Sequence, residues 1–170
     1  MNQRVILLNG PSSSGKSTLA RALQALILEK RGERFAIVSI DDFLHMTAHD
    51  VIYEDDVFEI SRDLCNQAAE AAQTGAGVIV DHVITSRRIF DHLTNALHSF
   101  KLQRICVTCP PEVLRAREAA RGNRCPGSAE ASLAFLYPKD GYDLTVDTHS
   151  MTTTACAERI FSRCFGGFDE

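Results

Sequence analysis

Long apolar runs are missing from this sequence. Nowhere in its 170 residues does a hydrophobic stretch approach the roughly 18 residues needed to cross a bilayer, so no membrane partner is expected. The run after Met1-Asn2-Gln3-Arg4 holds only four strongly apolar residues, Val5 to Leu8, too few for a secretory leader. A cytoplasmic protein is therefore expected. An excess of positive charge is missing too: 18 lysines and arginines face 22 acids, giving a net charge of -4. Nucleic-acid binders usually leave a basic footprint, so no nucleic-acid partner is expected either. Repeats, low-complexity tracts and linkers are absent, and residues 1–170 read as a single domain able to bury one core. A homo-oligomer is left open.

Cysteine is present but unorganised. The six cysteines are scattered, and without an export signal they read as free thiols. Cys106 and Cys109 have the CxxC spacing, but no second pair and no nearby His-x-His completes a metal set. They are expected to pack in the core. His45 and His49 would share a helix face, yet they too lack a third ligand.

What is there is an alternation. "RVILLN" (4–9) is a continuous apolar run, as a strand buried on both faces requires. Leu19, Leu23, Leu26 and Ile27 follow at helical spacing, with Gly32 placed to end that helix. Further strands are predicted at 34–40, 77–81, 103–109 and 142–147. Between them fall helical stripes through Val57–Ala71, Ile89–Phe100, the segment after Pro110-Pro111, and Cys156–Cys164. Residues 43–54 and 122–141 read as irregular. Five strands interleaved with helices imply an α/β fold, one parallel sheet covered on both faces.

The stretch Gly10-Pro11-Ser12-Ser13-Ser14-Gly15-Lys16-Ser17-Thr18 fits G-x-x-x-x-G-K-[ST] at every fixed position. An apolar strand precedes it and an amphipathic helix follows, the context a P-loop needs. Phosphate oxygens want several converging N–H donors, and glycines let the backbone curl close enough to supply them. The helix beginning near Lys16 adds unpaired amides and the positive end of its dipole. Lys16 would reach the β- and γ-phosphates of ATP, and the Ser17 hydroxyl would ligate Mg2+. A bare strand-to-helix turn needs neither side chain.

In open parallel sheets, ligands bind beyond the carboxyl ends of the strands. Asp81 ends the third predicted strand after "VIV", as a carboxylate holding Mg2+ does. Asp41 ends the second, placed to accept a proton from an attacking hydroxyl, with Asp42 beside it. Arg117 and Arg121 lie four apart on one helix face, and Arg124 follows Gly122 into the loop. An arginine-bearing lid over about 117–141 would put positive charge on a transferring phosphoryl group and exclude water. The plainer alternative is solvated charge with local pairs such as Glu118 with Arg121.

Taken together, "ILLNGPSSSGKST", "VSIDDFL", "GVIVDHV", "REAARGNR" and "GYDLTVDT" make the chain resemble the chloramphenicol phosphotransferase family of small P-loop kinases. The resemblance implies a strand order of 2-3-1-4-5 and a mobile lid. It also implies transfer of the γ-phosphate of ATP to the primary hydroxyl of chloramphenicol, an antibiotic inactivation. By position, Asp41 matches the family's base, Gly10 to Thr18 its nucleotide loop, and Arg117, Arg121 and Arg124 its lid arginines. "VDTHS" would lie near the adenine. His82 stands where the family carries a second acid, and the segment after Asp41 lacks an expected proline. That segment, within residues 42–60, shapes the acceptor pocket. The rival readings are a kinase of another metabolite or nucleoside and a nucleotide-dependent switch without an acceptor. ATP and GTP are not distinguished.

Overall fold

The computed structural model describes residues 3–44, 53–122 and 124–166. Along the chain lie β1 (Arg4–Asn9), α1 (Lys16–Arg31), β2 (Phe35–Ser39), α2 (Ile40–Leu44), α3 (Glu54–Gln73) and β3 (Gly77–His82). Then come α4 (Arg87–Ala96), β4 (Lys101–Thr108), α5 (Pro111–Arg121), α6 (Ser128–Phe135), β5 (Leu144–Asp147) and α7 (Thr153–Phe165). The five strands form one sheet in the order β2-β3-β1-β4-β5, every pair parallel. Sheet, order and flanking helices agree with the expectation.

β1 is central, with β3 on one side and β4 on the other. Its side chains alternate between two cores, which is why the run is apolar throughout. Val5 and Leu7 join Val78 and Val80 under α3 and α4, while Ile6 and Leu8 join Ile79, Ile105 and Val107 under α1 and α7. All four of these β1 side chains are fully buried. Gly32 caps α1 in the left-handed conformation at φ 65°, its N–H bonded to Leu28 O at 2.9 Å.

Several boundaries differ from the sequence reading. β2 stops at Ser39, and Asp41 and Asp42 occupy the first turn of the short helix α2. Acids are favoured there by the helix dipole, so strand propensity loses to capping electrostatics. β4 begins at Lys101, β5 begins only at Leu144, and α4 closes at Ala96 although the apolar stripe runs on to Phe100. Residues 45–52, with His45 and His49, lie outside the described residues.

The largest correction concerns 122–141. This segment contains α6, eight residues long and bracketed by Pro126-Gly127 and Pro138. The flanking glycines and prolines read as loop, but "SAEASLAF" itself is built of helix formers. Its first amides are capped by Glu118, a residue of another helix, so no local signal announces the start. The same bonds overturn the local pairing of Glu118 with Arg121. All six cysteines are free; Cys109 is buried and Cys106 half-buried, as core thiols. Among the described residues no helix is long and apolar enough to cross a membrane.

Candidate active site

A cleft of about 550 Å3 opens at the carboxyl ends of the strands. The loop between β1 and α1 forms its floor. Gly15 is the N-cap of α1 at φ 88° in the left-handed region, and Ser13 also has a positive φ of 65°. Two such turns in three residues curl the backbone, with the Ser12 and Ser14 N–H groups donating to Ser132 Oγ at 2.9 Å and Pro11 O at 3.3 Å. Gly10 is required for a different reason: a Cβ there would stand 2.2 Å from Val107 O. Only glycine lets the loop lie against the end of β4.

Lys16 is buried, its Nζ donating to Pro11 O at 2.8 Å and Ser14 Oγ at 3.4 Å. Burial lowers its pKa from 10.5 to about 8, against the pull of Asp81 and Asp41 and with the push of Arg124 and Arg121. A buried ammonium held next to so little compensating charge is a site for an anion. Two further polar atoms point the same way. Ser13 Oγ and Arg124 Nε are buried without a hydrogen-bond partner, and both residues line the cleft.

Opposite the loop, Ser17 Oγ donates to Asp81 Oδ2 at 2.6 Å. Ser39 Oγ reaches the same oxygen at 3.3 Å and also accepts the Asp41 N–H at 3.4 Å. A hydroxyl beside a carboxylate fits a hard divalent cation such as Mg2+, which takes its remaining ligands from water and phosphate. Among the described residues no group of three or more His, Cys, Asp or Glu could hold a metal, so protein side chains alone do not build a cage.

Asp41 and Arg124, 83 residues apart, form an ion pair at 2.5 Å across the cleft. Arg121 also lines the cleft, exposed, and makes no hydrogen bond or ion pair among the described residues. Arg117 is engaged differently. Its guanidinium donates to Thr148 Oγ1 and Thr148 O, both at 3.0 Å, and Thr148 Oγ1 donates to Ser14 O at 2.7 Å. The turn after β5 is thereby tied to the P-loop, and Thr148 lines the cleft with it. Thr18, exposed, lies at the rim.

His82 is not part of the cleft. It is fully buried, with Nε2 2.8 Å from Ser61 Oγ, and burial drives its pKa down to about 3. It therefore packs as a neutral ring. Asp42 is exposed and outside the cleft lining.

Two residues with organising roles escape the sequence reading. Asn9, fully buried, donates to Tyr137 O at 2.9 Å and the Tyr142 hydroxyl at 2.8 Å, and accepts the Ile84 N–H at 2.9 Å. It ties the end of β1 to the segments after β3 and α6. A polar residue closing an otherwise apolar run was the available signal. Glu118 has no such signal, because its partners are backbone amides of another helix.

No curated protein matches this chain. Among solved structures, the APS kinase CysC of Mycobacterium tuberculosis in complex with AMPPNP and APS has a TM-score of 0.81 at 19% identity, covering 96% of this chain and 98% of that one. A gluconokinase from Sinorhizobium meliloti 1021 gives 0.66 at 20% identity, covering 96% of each chain. The Deinococcus radiodurans tunicamycin resistance protein gives 0.65 at 19% identity, again covering 96% of each. At such identities these neighbours show the fold, that of P-loop kinases. The model of the chloramphenicol phosphotransferase-like family matches residues 3–164, and so this chain belongs to the chloramphenicol phosphotransferase-like family.

Proposed function

We propose that the protein moves the γ-phosphate of ATP to a hydroxyl of a small molecule, with Mg2+, and that the primary hydroxyl of chloramphenicol is the leading acceptor. Family membership and the P-loop kinase fold support an ATP-dependent kinase. The single observation that carries the reading further is the ion pair of Asp41 with Arg124 across the P-loop cleft. A nucleotide switch has no use for a carboxylate in that place. A kinase needs one to receive the proton of the incoming hydroxyl.

The roles follow from position. The amides of Ser13 and of Gly15 to Thr18 at the start of α1 cradle the phosphates, and the Lys16 ammonium neutralises charge at the β–γ junction. Ser17 and Asp81 would hold Mg2+, which when bound offsets phosphate charge. Asp41 accepts a hydrogen bond from the acceptor hydroxyl and takes its proton as the oxygen attacks the γ-phosphorus. The bond from that phosphorus to the β–γ bridging oxygen breaks, releasing ADP. Arg124 and Arg121 stabilise the equatorial oxygens during transfer, and a closed lid excludes water as a competing nucleophile. Arg117, through Thr148, keeps the loop in shape.

Chloramphenicol is favoured by membership of the family and by the blocks "REAARGNR" and "GYDLTVDT". The test is incubation with Mg-ATP and a panel of hydroxylated antibiotics, nucleosides and sugars, read by mass spectrometry. Chloramphenicol gaining one phosphoryl group is the expected result. A phosphorylated nucleoside or sugar with untouched drug would leave the kinase reading standing and replace the acceptor. No phosphorylated product from any acceptor, with ATP bound tightly, would overturn the reading in favour of a switch.

A further inference from the structure

One buried acid closes the segment that carries the lid arginines. Glu118 on α5 is only 7% exposed. Its Oε2 accepts the Gly127 N–H at 2.9 Å and its Oε1 accepts the Ala129 N–H at 2.7 Å. These amides belong to the N-cap and first turn of α6, where a helix has unpaired donors and positive partial charge. The two bonds bring the start of α6 back against α5, and Arg121 and Arg124 lie between Glu118 and that start.

A helix start needs no such arrangement for its own sake. Ser, Thr, Asn or Asp at the N-cap would satisfy the same amides locally. Here the N-cap is Gly127 at φ 90°, without a side chain, and the cap comes from Glu118. Burying this carboxylate costs hydration, and the two α6 N–H bonds that offset the cost form only when the intervening loop is closed. A small apolar cluster of Cys109, Leu114 and Ala129, with Val113 and Leu133 against it, sits beside the closure and apart from the two sheet cores. The joined helices touch the P-loop at two neighbouring points: Arg117 through Thr148 to Ser14, and Ser132 Oγ through the Ser12 N–H at 2.9 Å.

We infer that Glu118 is a positioning residue for phosphoryl transfer: by closing the α5–α6 loop onto its own helix start, it sets where the Arg124 guanidinium stands against Asp41 and the phosphate. The inference rests on the reading above, in which Arg124 serves the transferred phosphoryl group.

A double-mutant cycle on the full chain tests it, with kcat and KM for Mg-ATP and the accepted hydroxyl measured at each corner. Arg124→Ala is expected to lower kcat on the order of 100-fold, the scale of one lost transition-state donor. Glu118→Gln, which can accept only one of the two N–H groups, is expected to lower kcat about 10-fold, with KM for ATP changed less than about threefold. The double variant should be no slower than Arg124→Ala alone, because Glu118 acts through Arg124. A double variant slower by the product of the two single effects would overturn the role of Glu118 and leave the kinase reading intact. Full activity of Arg124→Ala would overturn the reading beneath it. Glu118→Asp keeps the charge but is one methylene short, and should reproduce the kcat loss if Glu118→Gln does not fold. Wild-type kcat in either folded variant, or failure of both to fold, would make Glu118 a structural cap only and defeat the proposal.

Discussion

The P-loop and the arginine segment face each other across one cleft but are held by unlike means. The loop hangs between β1 and α1, whose buried residues belong to the sheet cores, and Gly10 lies against the β4 backbone. The segment from α5 to α6 has only its own small cluster, the Glu118 closure, and a few polar contacts across the cleft. The first is fixed by packing that cannot relax without disturbing the fold. The second rests on separate polar contacts that can be removed one at a time, each hydrogen bond to a charged group being worth about 1.5–3 kcal/mol. Floor and lid therefore call for different failures: disturbing the floor should abolish nucleotide handling, and disturbing the lid should slow transfer while nucleotide binding survives.

The largest effect is expected at Lys16. Replacing it with alanine should lower kcat/KM for ATP by about a thousandfold or more, since the charge acts on both ground state and transition state. Unfolding temperature should change little, because removing a buried ammonium relieves desolvation while it removes two hydrogen bonds. Normal turnover in Lys16→Ala would remove the P-loop from the mechanism. Next is Gly10→Ala, in which the new methyl must displace Val107 O or the loop. We expect about 1–3 kcal/mol of destabilisation by denaturant unfolding, together with weakened ATP binding. A neutral Gly10→Ala would show that the floor gives more easily than its packing indicates.

The pH dependence sharpens the same contrast. Lys16, with its pKa lowered to about 8, is charged below that pH and neutral above it in the free protein. The triphosphate favours the ammonium, so binding above pH 8 must take up a proton. Affinity for ATP should weaken as pH rises past 8, by up to about tenfold per unit for one linked proton. For folding the sign is opposite: the unfolded chain binds this proton more tightly, so the group's contribution to stability rises with pH between 8 and 10.5. Calorimetric titration in buffers of different ionisation enthalpy measures the uptake; none at pH 9 would mean the lysine stays charged. The smallest effect belongs to the lid. Ser132→Ala leaves the Ser12 N–H without its acceptor and should cost about 0.5–1.5 kcal/mol, seen as a few-fold fall in kcat with KM for ATP and the fold unchanged.

How legible these parts are from sequence follows the same division. β1, α1 and the P-loop were readable because each rests on local chemistry: an apolar run, a 3.6-residue stripe, glycines at two fixed places. Lys16 and Ser17, from the loop motif, and Asp81, from the end of β3, come together in the cleft. Asp41 reaches the cleft, but from the first turn of a helix, because two adjacent acids suit a helix start as well as a strand end. Arg124 was placed by its neighbours, but its partner was not, since no pattern links positions 83 residues apart. α6 and the inward turn of Glu118 were missed for one reason. The cap and the helix it starts are separated by a loop whose glycines and proline read as irregular, and their bond exists only after folding. Arg117 lines the cleft beside Gly15 and also holds Thr148, a partner from the turn after β5 that no sequence pattern announces.

The central claim is that Asp41 receives a hydroxyl at this cleft, and the rate of phosphotransfer in Asp41→Asn tests it most directly. With an accepted small-molecule hydroxyl and saturating Mg-ATP, single-turnover transfer should fall about 100-fold or more, within the range of a lost general base. ATP affinity should stay within a few-fold, because the floor is untouched. Transfer near the wild-type rate in Asp41→Asn would contradict the account.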